Sequence, residues 1–277
     1  MAGKTRVAIS GAAGRMGRRL VALTLEDPEL ELAGALEAAG NPVLGQDAAL
    51  LAGVGRECGV KVTEALAGRV DCIVDFSAPE GAVRRVEDAV RSGSALVAGT
   101  TGLDDKQKAA FTAAAGRIPL ILAPNMSVGA NLLFKLTGDA ARALGAGYDI
   151  EVVEAHHHNK ADAPSGTALG LAQAAADGRG LDLRKHAVHG RSGRPGARPR
   201  DEIGIHAVRA GDIIGEHTVI FATGGERIEL VHRVTSRDGF CLGALRAAKF
   251  LAGKPPGAYT MAQVLGLLGP VAPRPSS

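Results

Sequence analysis

Short apolar or β-branched runs alternate with helical patterns over the first half of the chain, and this alternation constrains its fold most strongly. Parallel strands need a crossover connection, which a helix usually provides, so the pattern is typical of a doubly wound sheet. The predicted strands are Arg6–Ser10, Leu30–Leu36, Cys72–Phe76, Ala95–Ala98 and Leu120–Ala123. The predicted helices are 15–25, 79–91 and 104–115. We therefore predict an α/β domain with a doubly wound parallel sheet.

The alternation of strand and helix patterns ends after Asn125. A long helical pattern at 128–144 leads into a strand at 149–154, and 203–234 predicts successive antiparallel strands. A tight hairpin turn is expected at Thr223–Glu226, because two alternating runs flank two glycines there. The second domain is therefore predicted to be a smaller α+β unit with an open mixed sheet. The predicted domains are residues 1–126, with 240–277 packing back on them, and 127–239.

A glycine-rich turn follows the first predicted strand directly. Gly11, Gly14 and Gly17 have GxxGxxG spacing between that strand and a helix. Glycines allow the backbone to approach a pyrophosphate, and the N-terminus of the helix favours its negative charge. This context predicts a Rossmann-type dinucleotide site; the alternative is a structural turn without a ligand. The cofactor-binding residues expected in the turn are Gly11, Ala12, Ala13, Gly14, Arg15 and Met16.

The end of the second strand indicates which dinucleotide is bound. Glu37 lies twenty residues after Gly17, where an acidic side chain accepts hydrogen bonds from the adenosine ribose. The next residue, Ala38, provides no cation for a 2′-phosphate. We therefore expect NADH to be favoured over NADPH, with Arg15 or Arg18 as the remaining cations that would help bind NADPH.

Three further loops follow strand ends on the same edge of the predicted sheet. Ligands of open α/β sheets bind at that edge. Phe76 is expected to pack on the nicotinamide, and the backbone of Gly99–Thr101 to lie along its ribose and ring. The residues assigned to the cofactor site from these loops are Phe76, Gly99, Thr100, Thr101, Ala123, Pro124, Asn125 and Met126.

The segment from Glu154 to Ala168 places three histidines and a lysine directly ahead of a helix start. Histidine titrates near neutral pH, and the first amides of a helix favour a carboxylate or phosphate. The segment therefore predicts proton donors next to an anion site; a solvated strand end and a metal site are the alternatives. Strand alternation allows only two of the histidines to share a face and no cysteine is nearby, so we expect no metal. The residues concerned are His156, His157, Lys160, Ser165, Gly166 and Thr167.

Composition and charge exclude several classes of function. No apolar run approaches the roughly 20 residues that span a bilayer, and no signal-peptide core follows Met1, so we expect a soluble cytoplasmic protein without a membrane partner. The three cysteines are isolated, which argues against a disulfide framework or a zinc site. Residues 179–200 carry seven Lys or Arg against one acid but no Phe, Tyr or Trp, so nucleic-acid binding is not expected. This basic segment is either a solvated loop or a positive field that attracts an anionic substrate.

Together these motifs resemble one family. The glycine loop, Gly99–Gly102, Asn125–Gly129 and above all Glu154–Thr167 are similar to the 4-hydroxy-tetrahydrodipicolinate reductases, also called dihydrodipicolinate reductases, and the similarity extends through Arg209–Thr218. The resemblance implies NAD(P)H-dependent reduction of a small cyclic dicarboxylate in lysine and diaminopimelate biosynthesis. It also implies a homotetramer.

The resemblance further implies a role for each matching residue. Gly11–Met16, Glu37, Gly99–Thr101 and Ala123–Met126 match cofactor-binding positions. His156 and Lys160 match proton donors, His157 matches a substrate-binding histidine, and Gly166 with Thr167 matches the site of a substrate carboxylate. The Ser165 hydroxyl is chemically able to join that carboxylate site.

Two other functions fit the same sequence. The first is another two-domain nicotinamide-dependent dehydrogenase of amino-acid metabolism, although such enzymes usually use a cysteine nucleophile or a different acid–base set. Cys241 is the only cysteine outside residues 1–126, and it lies in a helical pattern. The second is a non-catalytic dinucleotide-binding sensor, in which replacing His156 or Lys160 would have little effect.

Overall fold

The computed structural model describes residues 3–267, which fold into two compact units. Among the described residues, unit 1 contains 3–128 and 237–267, and unit 2 is Gly129–Ser236. Residues 268–277 of the predicted returning segment 240–277 lie outside the described residues. No helix within 3–267 is long and apolar enough to cross a lipid bilayer.

Residues 3–267 contain twelve strands and nine α-helices. The strands are β1 Thr5–Ser10, β2 Leu30–Leu36, β3 Val62–Thr63, β4 Cys72–Asp75, β5 Ala95–Ala98, β6 Pro119–Leu122, β7 Asp149–His156, β8 Ala187–His189, β9 Ile203–Arg209, β10 Gly215–Thr223, β11 Glu226–Val234 and β12 Gly257–Tyr259. The helices are α1 Arg15–Glu26, α2 Ala48–Leu51, α3 Pro79–Ser92, α4 Asp105–Ala115, α5 Val128–Leu144, α6 Gly166–Arg179, α7 Leu183–His186, α8 Asp238–Leu251 and α9 Met261–Val264.

Unit 1 is built on a seven-stranded sheet in which every strand pair is parallel. Its order is β12-β6-β5-β4-β1-β2-β3. The chain leaves β1 in one direction and returns to place β4 on its other side, so the carboxyl ends of β1 and β4 form the topological switch point where such sheets bind ligands. The predicted doubly wound parallel sheet is confirmed.

Helices cover both faces of this sheet, because its central strands are apolar on both sides. All four residues of β4 and of β5 are buried, as expected for a parallel sheet between two helical layers. One core contains residues of α1 and α8 such as Leu20 and Leu245, and the other contains residues of α3 and α4 such as Val86 and Phe111.

Unit 2 is an open mixed sheet with the order β11-β10-β7-β9-β8. Strand β7 is antiparallel to β10 and parallel to β9. The predicted hairpin is present, since Thr223 pairs with Glu226 across a two-residue turn. The prediction of successive antiparallel strands over 203–234 was wrong in one respect: β9 and β10 run in opposite directions but are not paired, because β7 lies between them. A short loop between two strands does not require them to be neighbours.

Strand β7 continues two residues beyond the predicted Glu154, as far as His156. Its side chains alternate, and Val152, Glu154 and His156 are buried on one face. On this face α6 contributes Leu171 and Ala175 to the core together with Val152. The polar residues Glu154 and His156 therefore continue an apolar, helix-covered face toward the end of the strand.

A close approach to Gly243 in α8 gives a test of packing in unit 1. A Cβ atom on Gly243 would overlap the carbonyl O of Met126, whereas one on Gly239 of the same helix meets nothing within 4 Å. We expect Gly243→Ala to destabilise unit 1 by about 1–3 kcal/mol, because backbone atoms must move. Gly239→Ala is the matched control and is expected to leave stability unchanged or slightly raised. Urea unfolding followed by circular dichroism measures both, and equal midpoints for the two variants would contradict this packing.

Candidate active site

The glycine turn joins β1 to α1 and is closely packed. Gly11 has a φ of +76°, and a Cβ there would lie 2.7 Å from the carbonyl O of Phe76. A Cβ on Gly17 would overlap the carbonyl O of Gly11. Gly14 is the N-cap of α1, and no side chain caps the first turn of the helix. The turn therefore leaves the α1 amide groups open to an anion.

Glu37 lies beside this turn at the end of β2. Its Oε2 atom accepts a hydrogen bond from the amide of Ala13 at 2.9 Å, and Oε1 accepts one from the amide of Ala38 at 3.1 Å. A carboxylate has about four acceptor sites, so two remain. Glu37 thus stabilises the glycine turn and still has capacity for ribose hydroxyl groups.

A buried carboxylate organises the loops that follow β4 and β5. Asp75 is fully buried and accepts hydrogen bonds from Ser77 Oγ at 2.7 Å and Thr100 Oγ1 at 2.5 Å. The Phe76 ring lies against Gly99, where a Cβ would overlap it. The Thr100 hydroxyl is therefore already bound to Asp75. Asp75 was assigned no role from the sequence, although an acidic residue at the end of an apolar strand could have indicated one.

A cavity of about 450 Å³ opens at the switch point of the sheet. Its walls include the predicted residues Gly11, Gly14, Glu37 and Phe76. The other predicted cofactor residues are not among its lining. Met126 is buried, and Asn125 Oδ1 accepts a hydrogen bond from the amide of Ser127 at 2.8 Å.

The charged residues on the cavity wall are mainly acidic. Glu64 and Glu80 line it in addition to Glu37, against the cations Arg84 and Arg85. The Arg85 guanidinium already lies 3.2 Å from Asp88 and donates to the carbonyl O of Glu64.

In unit 2 the central feature is a buried carboxylate in β7. Glu154 has no exposed surface and is bound from three elements. Arg209 of β9 donates to both of its oxygens, at 2.8 and 2.9 Å, and the amide of Ser165 donates at 3.0 Å. The His156 Nδ1 atom lies 2.6 Å from Oε2. Burial alone would raise the pKa of Glu154, but the bonds from Arg209, His156 and Ser165 outweigh it and lower the pKa below its usual value.

Glu154 orients His156 and fixes its tautomer. A carboxylate accepts at Nδ1, so the proton of the neutral imidazole lies on Nδ1 and Nε2 is the atom that exchanges protons. Nε2 makes no hydrogen bond within residues 3–267, and a Cβ on Gly215 would lie 3.1 Å from it. Burial lowers the pKa of His156, and the negative charge of Glu154 only partly offsets this effect.

Lys160 lies in the turn that follows β7. Its amide donates to the carbonyl O of His157 at 3.1 Å, and its Nζ atom lies 2.9 Å from Asp162 Oδ1. The carbonyl O of Asp162 accepts from Arg209 at 2.6 Å. His157 itself follows the last residue of β7, and its Nδ1 atom is buried without a hydrogen-bond partner in the described chain. His158 is exposed and bonds to the carbonyl O of Gly211.

The start of α6 completes this cluster. Ser165 is the N-cap of α6, and its Oγ atom accepts from the amide of Ala168 at 3.1 Å. The same Oγ lies 3.1 Å from Nε2 of His217, a buried residue of β10. Burial, together with the nearby His156, lowers the pKa of His217 to about 4. Arg209 and His217 were not assigned roles from the sequence; the signal for His217 was a polar residue on the apolar face of an alternating strand.

The basic segment is largely paired with acidic residues. Arg191 and Arg198 both bind Glu151 of β7, at 2.7 and 2.8 Å, and Arg198 also binds Asp149. Burial raises the pKa of Glu151, but Arg191, Arg198 and His206 outweigh this and lower it to about 2. Arg179 and Arg184 pair with further aspartates. Four of the seven cations are therefore neutralised locally, which weakens any field directed at a substrate.

Within residues 3–267, no group of three or more His, Cys, Asp or Glu side chains is arranged to hold a metal ion.

Sequence and structure comparisons cover both units. Residues 5–126 match the family model described as "Dihydrodipicolinate reductase, N-terminus", and residues 129–265 match "Dihydrodipicolinate reductase, C-terminus". The 4-hydroxy-tetrahydrodipicolinate reductase of Alkalilimnicola ehrlichii is 52% identical over 95% of this chain and 99% of its own length. That of Anaeromyxobacter dehalogenans is 49% identical over 96% and 99%. A dipicolinate-bound dihydrodipicolinate reductase from Paenisporosarcina sp. TG-14 superposes with a TM-score of 0.71 at 25% identity, covering 94% of this chain and 98% of that one.

The lowered pKa of His217 predicts how stability changes with pH. The folded-state pKa of about 4 lies below the ordinary value of 6.5, so between these values the unfolded chain binds a proton that the folded chain does not. Stability attributable to His217 is therefore lost as pH falls through this range, by about 2 kcal/mol at pH 5 relative to pH 7. Urea midpoints at a fixed protein concentration measure this loss. His217→Gln, which does not titrate, should show a smaller difference; an equal difference in both proteins would contradict the assignment.

Proposed function

The chain belongs to the dihydrodipicolinate reductase family, and on this basis we propose that it reduces 4-hydroxy-tetrahydrodipicolinate to tetrahydrodipicolinate in lysine and diaminopimelate biosynthesis. The observation that carries the proposal is the Glu154–His156 pair beside the N-terminus of α6. It combines an oriented proton carrier with a site for a carboxylate, which are the groups that reduction of a cyclic dicarboxylate requires.

In this proposal unit 1 binds the nicotinamide cofactor, which supplies a hydride when bound. The open amides of α1 donate to the pyrophosphate, and the two remaining acceptor sites of Glu37 accept from ribose hydroxyls. The tight approaches at Gly11 and Gly17 are to neighbouring backbone, and they support the proposal by fixing the conformation of the turn that presents the α1 amides. The assigned residues remain Gly11, Ala12, Ala13, Gly14, Arg15, Met16, Glu37, Phe76, Gly99, Thr100, Thr101, Ala123, Pro124, Asn125 and Met126.

Unit 2 binds the substrate. The amides of Gly166 and Thr167 begin α6 and receive one carboxylate, with the Ser165 hydroxyl beside them. His157 contributes through its ring, and its buried Nδ1, which has no partner in residues 3–267, supports a ligand contact. The ammonium group of Lys160 attracts the second carboxylate.

His156 and Lys160 are the proposed proton donors. In the ligand-free chain burial favours neutral His156. Two substrate carboxylates would oppose this effect, because nearby negative charge raises the pKa of an imidazole. Substrate binding is thus coupled to proton uptake. Once the 4-hydroxyl group has left as water, together with a proton from the neighbouring ring carbon, and the ring has received the hydride, His156 Nε2 protonates the carbon adjacent to the one that received it. Glu154 stabilises the imidazolium throughout and retains its own negative charge.

The edge of unit 2 supports the further proposal of a homotetramer. Val208, Ile228 and Val231 are large apolar residues that are more than a third exposed, and the last two belong to the edge strand β11. Such an edge is normally covered by another chain or element. On the basis of the family resemblance we also propose a cytoplasmic location.

Replacing the proton donors should reduce catalysis without reducing cofactor binding. We expect His156→Gln and Lys160→Ala each to lower kcat by about 10²–10⁴-fold, while the Kd for NADH stays within about twofold because the cofactor residues lie in unit 1. Steady-state oxidation of NADH with freshly generated substrate measures kcat, and fluorescence titration measures Kd. His158→Gln is the neighbouring control and should retain activity. Full activity in both variants would favour the non-catalytic sensor.

Cofactor preference tests the assignment of Glu37. We expect NADH to bind more tightly than NADPH, because three acids on the cavity wall outnumber its two cations, Arg85 is already paired with Asp88, and Ala38 offers no cation for a 2′-phosphate. Glu37→Ala should weaken NADH binding roughly tenfold or more, since a charge-assisted hydrogen bond contributes about 1.5–3 kcal/mol. Glu87→Ala, an exposed acid on α3, is the control. Side-by-side titrations with NADH and NADPH measure both Kd values, and a hundredfold preference for NADPH would contradict the assignment of Glu37.

A further inference from the structure

His217 is the most deeply buried histidine of unit 2, and the proposed reaction does not use it. Its ring lies edge-on to that of His156, with centroids 5.2 Å apart, and stacks on that of His232 at 6.4 Å. Its one hydrogen bond within residues 3–267 joins Nε2 to Ser165 Oγ. This contact therefore links a buried histidine directly to a residue of the proposed substrate site.

The hydrogen-bonding capacity of Ser165 limits what the contact can be. A serine hydroxyl has one proton to donate and two lone pairs to accept. The amide of Ala168 already donates to one lone pair at 3.1 Å. If the Nε2–H of His217 donates to the other, both lone pairs are used and the hydroxyl proton has no partner within the described cluster. If Ser165 instead donates to Nε2, its proton is used and is not available to a ligand.

The opposite ring nitrogen favours the first arrangement. His217 Nδ1 is buried without a hydrogen-bond partner in the described chain. A proton on Nδ1 would be a buried donor without an acceptor, which is rarer in folded proteins than a buried acceptor without a donor. Burial lowers the pKa of His217 to about 4, so near neutral pH the ring carries one proton. That proton is therefore better placed on Nε2, where Ser165 accepts it.

The backbone of Ser165 is held independently of His217. Its amide donates to Glu154 Oε1 at 3.0 Å, and Glu154 and His217 are directly paired residues of the adjacent strands β7 and β10. Their side chains lie on the same face of the sheet. Glu154 therefore holds the main chain of Ser165, while His217 contacts its hydroxyl. Loss of the His217 contact should change the orientation of the hydroxyl and leave the N-cap in place.

We propose that His217 is a positioning residue that donates its Nε2–H to Ser165 and so directs the Ser165 hydroxyl proton to a substrate carboxylate. This inference rests on the proposed function, since it assigns a donor to the carboxylate at the start of α6. It predicts that His217 acts on substrate binding through Ser165 and has no direct part in proton transfer.

Two amide substitutions of His217 test the proposal. The side-chain amide of Gln can place an N–H near the Nε2 position, whereas that of Asn reaches only the Nδ1 position. For the NADH-saturated protein we expect His217→Asn to weaken dipicolinate binding and to raise KM about tenfold or more, with kcat changed less than about threefold. His217→Gln should retain most of the affinity. Calorimetry with dipicolinate and steady-state kinetics give these values, and the urea unfolding midpoint followed by circular dichroism confirms that each variant is folded.

A double-mutant cycle separates this role from a general packing defect. Ser165→Ala should weaken dipicolinate binding by about the same factor as His217→Asn, and the double variant should bind no more weakly than either single variant. Additive losses, or normal binding by His217→Asn, would overturn the positioning role. If the wild-type protein neither binds dipicolinate nor reduces the substrate, the proposed function itself fails.

The tautomer can be measured without disturbing the fold. In the ¹⁵N-histidine NMR spectrum of the wild-type protein at pH 7, assigned by comparison with His217→Gln, the His217 signals should show the proton on Nε2. A proton on Nδ1 in the dipicolinate complex would overturn the proposal, even if the Asn variant failed to fold.

Discussion

The buried carboxylate of Glu154 is the constraint on which the candidate site of unit 2 depends. Removing a carboxylate from water costs several kcal/mol unless charge and hydrogen bonds compensate it. Arg209 provides the charge through two bonds, and His156 and the Ser165 amide occupy further acceptor positions. Loss of any partner would leave part of the carboxylate unsatisfied. The hydrogen bonds that compensate this one buried carboxylate therefore hold β7, β9 and the start of α6 together.

The same arrangement determines what the histidine can do chemically. Because Glu154 holds Nδ1, His156 presents Nε2, and it does so on the face of the sheet where α6 begins. The parallel pairing of β7 with β9 brings Arg209 opposite His156. Burial lowers the pKa of His156 and the carboxylate only partly restores it, so the site is set to gain a proton when negative charge arrives.

Unit 1 uses strand-end carboxylates in a related way. Asp75 at the end of β4 binds the hydroxyls of Ser77 and Thr100, and Glu37 at the end of β2 binds the amide of Ala13. Both acids hold loops at the edge where a doubly wound sheet receives its ligand. Hydrogen bonds to a fixed carboxylate add order to these loops beyond what their apolar contacts provide.

Local patterns along the chain were sufficient to predict the alternating strands and helices of unit 1, the glycine turn, the Thr223–Glu226 hairpin and the segment around His156, because periodicity, glycine spacing and turn chemistry are properties of neighbouring residues. They could not place β7 between β9 and β10, pair Glu151 with Arg191 and Arg198, or bring His217 to Ser165, since those residues are far apart in sequence. Only the tertiary structure decided these contacts, because the partners of Glu154 and Glu151 come from a neighbouring strand, a helix start and a loop that are distant in sequence. The sequence by itself determined which groups were available for chemistry; the fold decided which of them are oriented, neutralised or left free to donate.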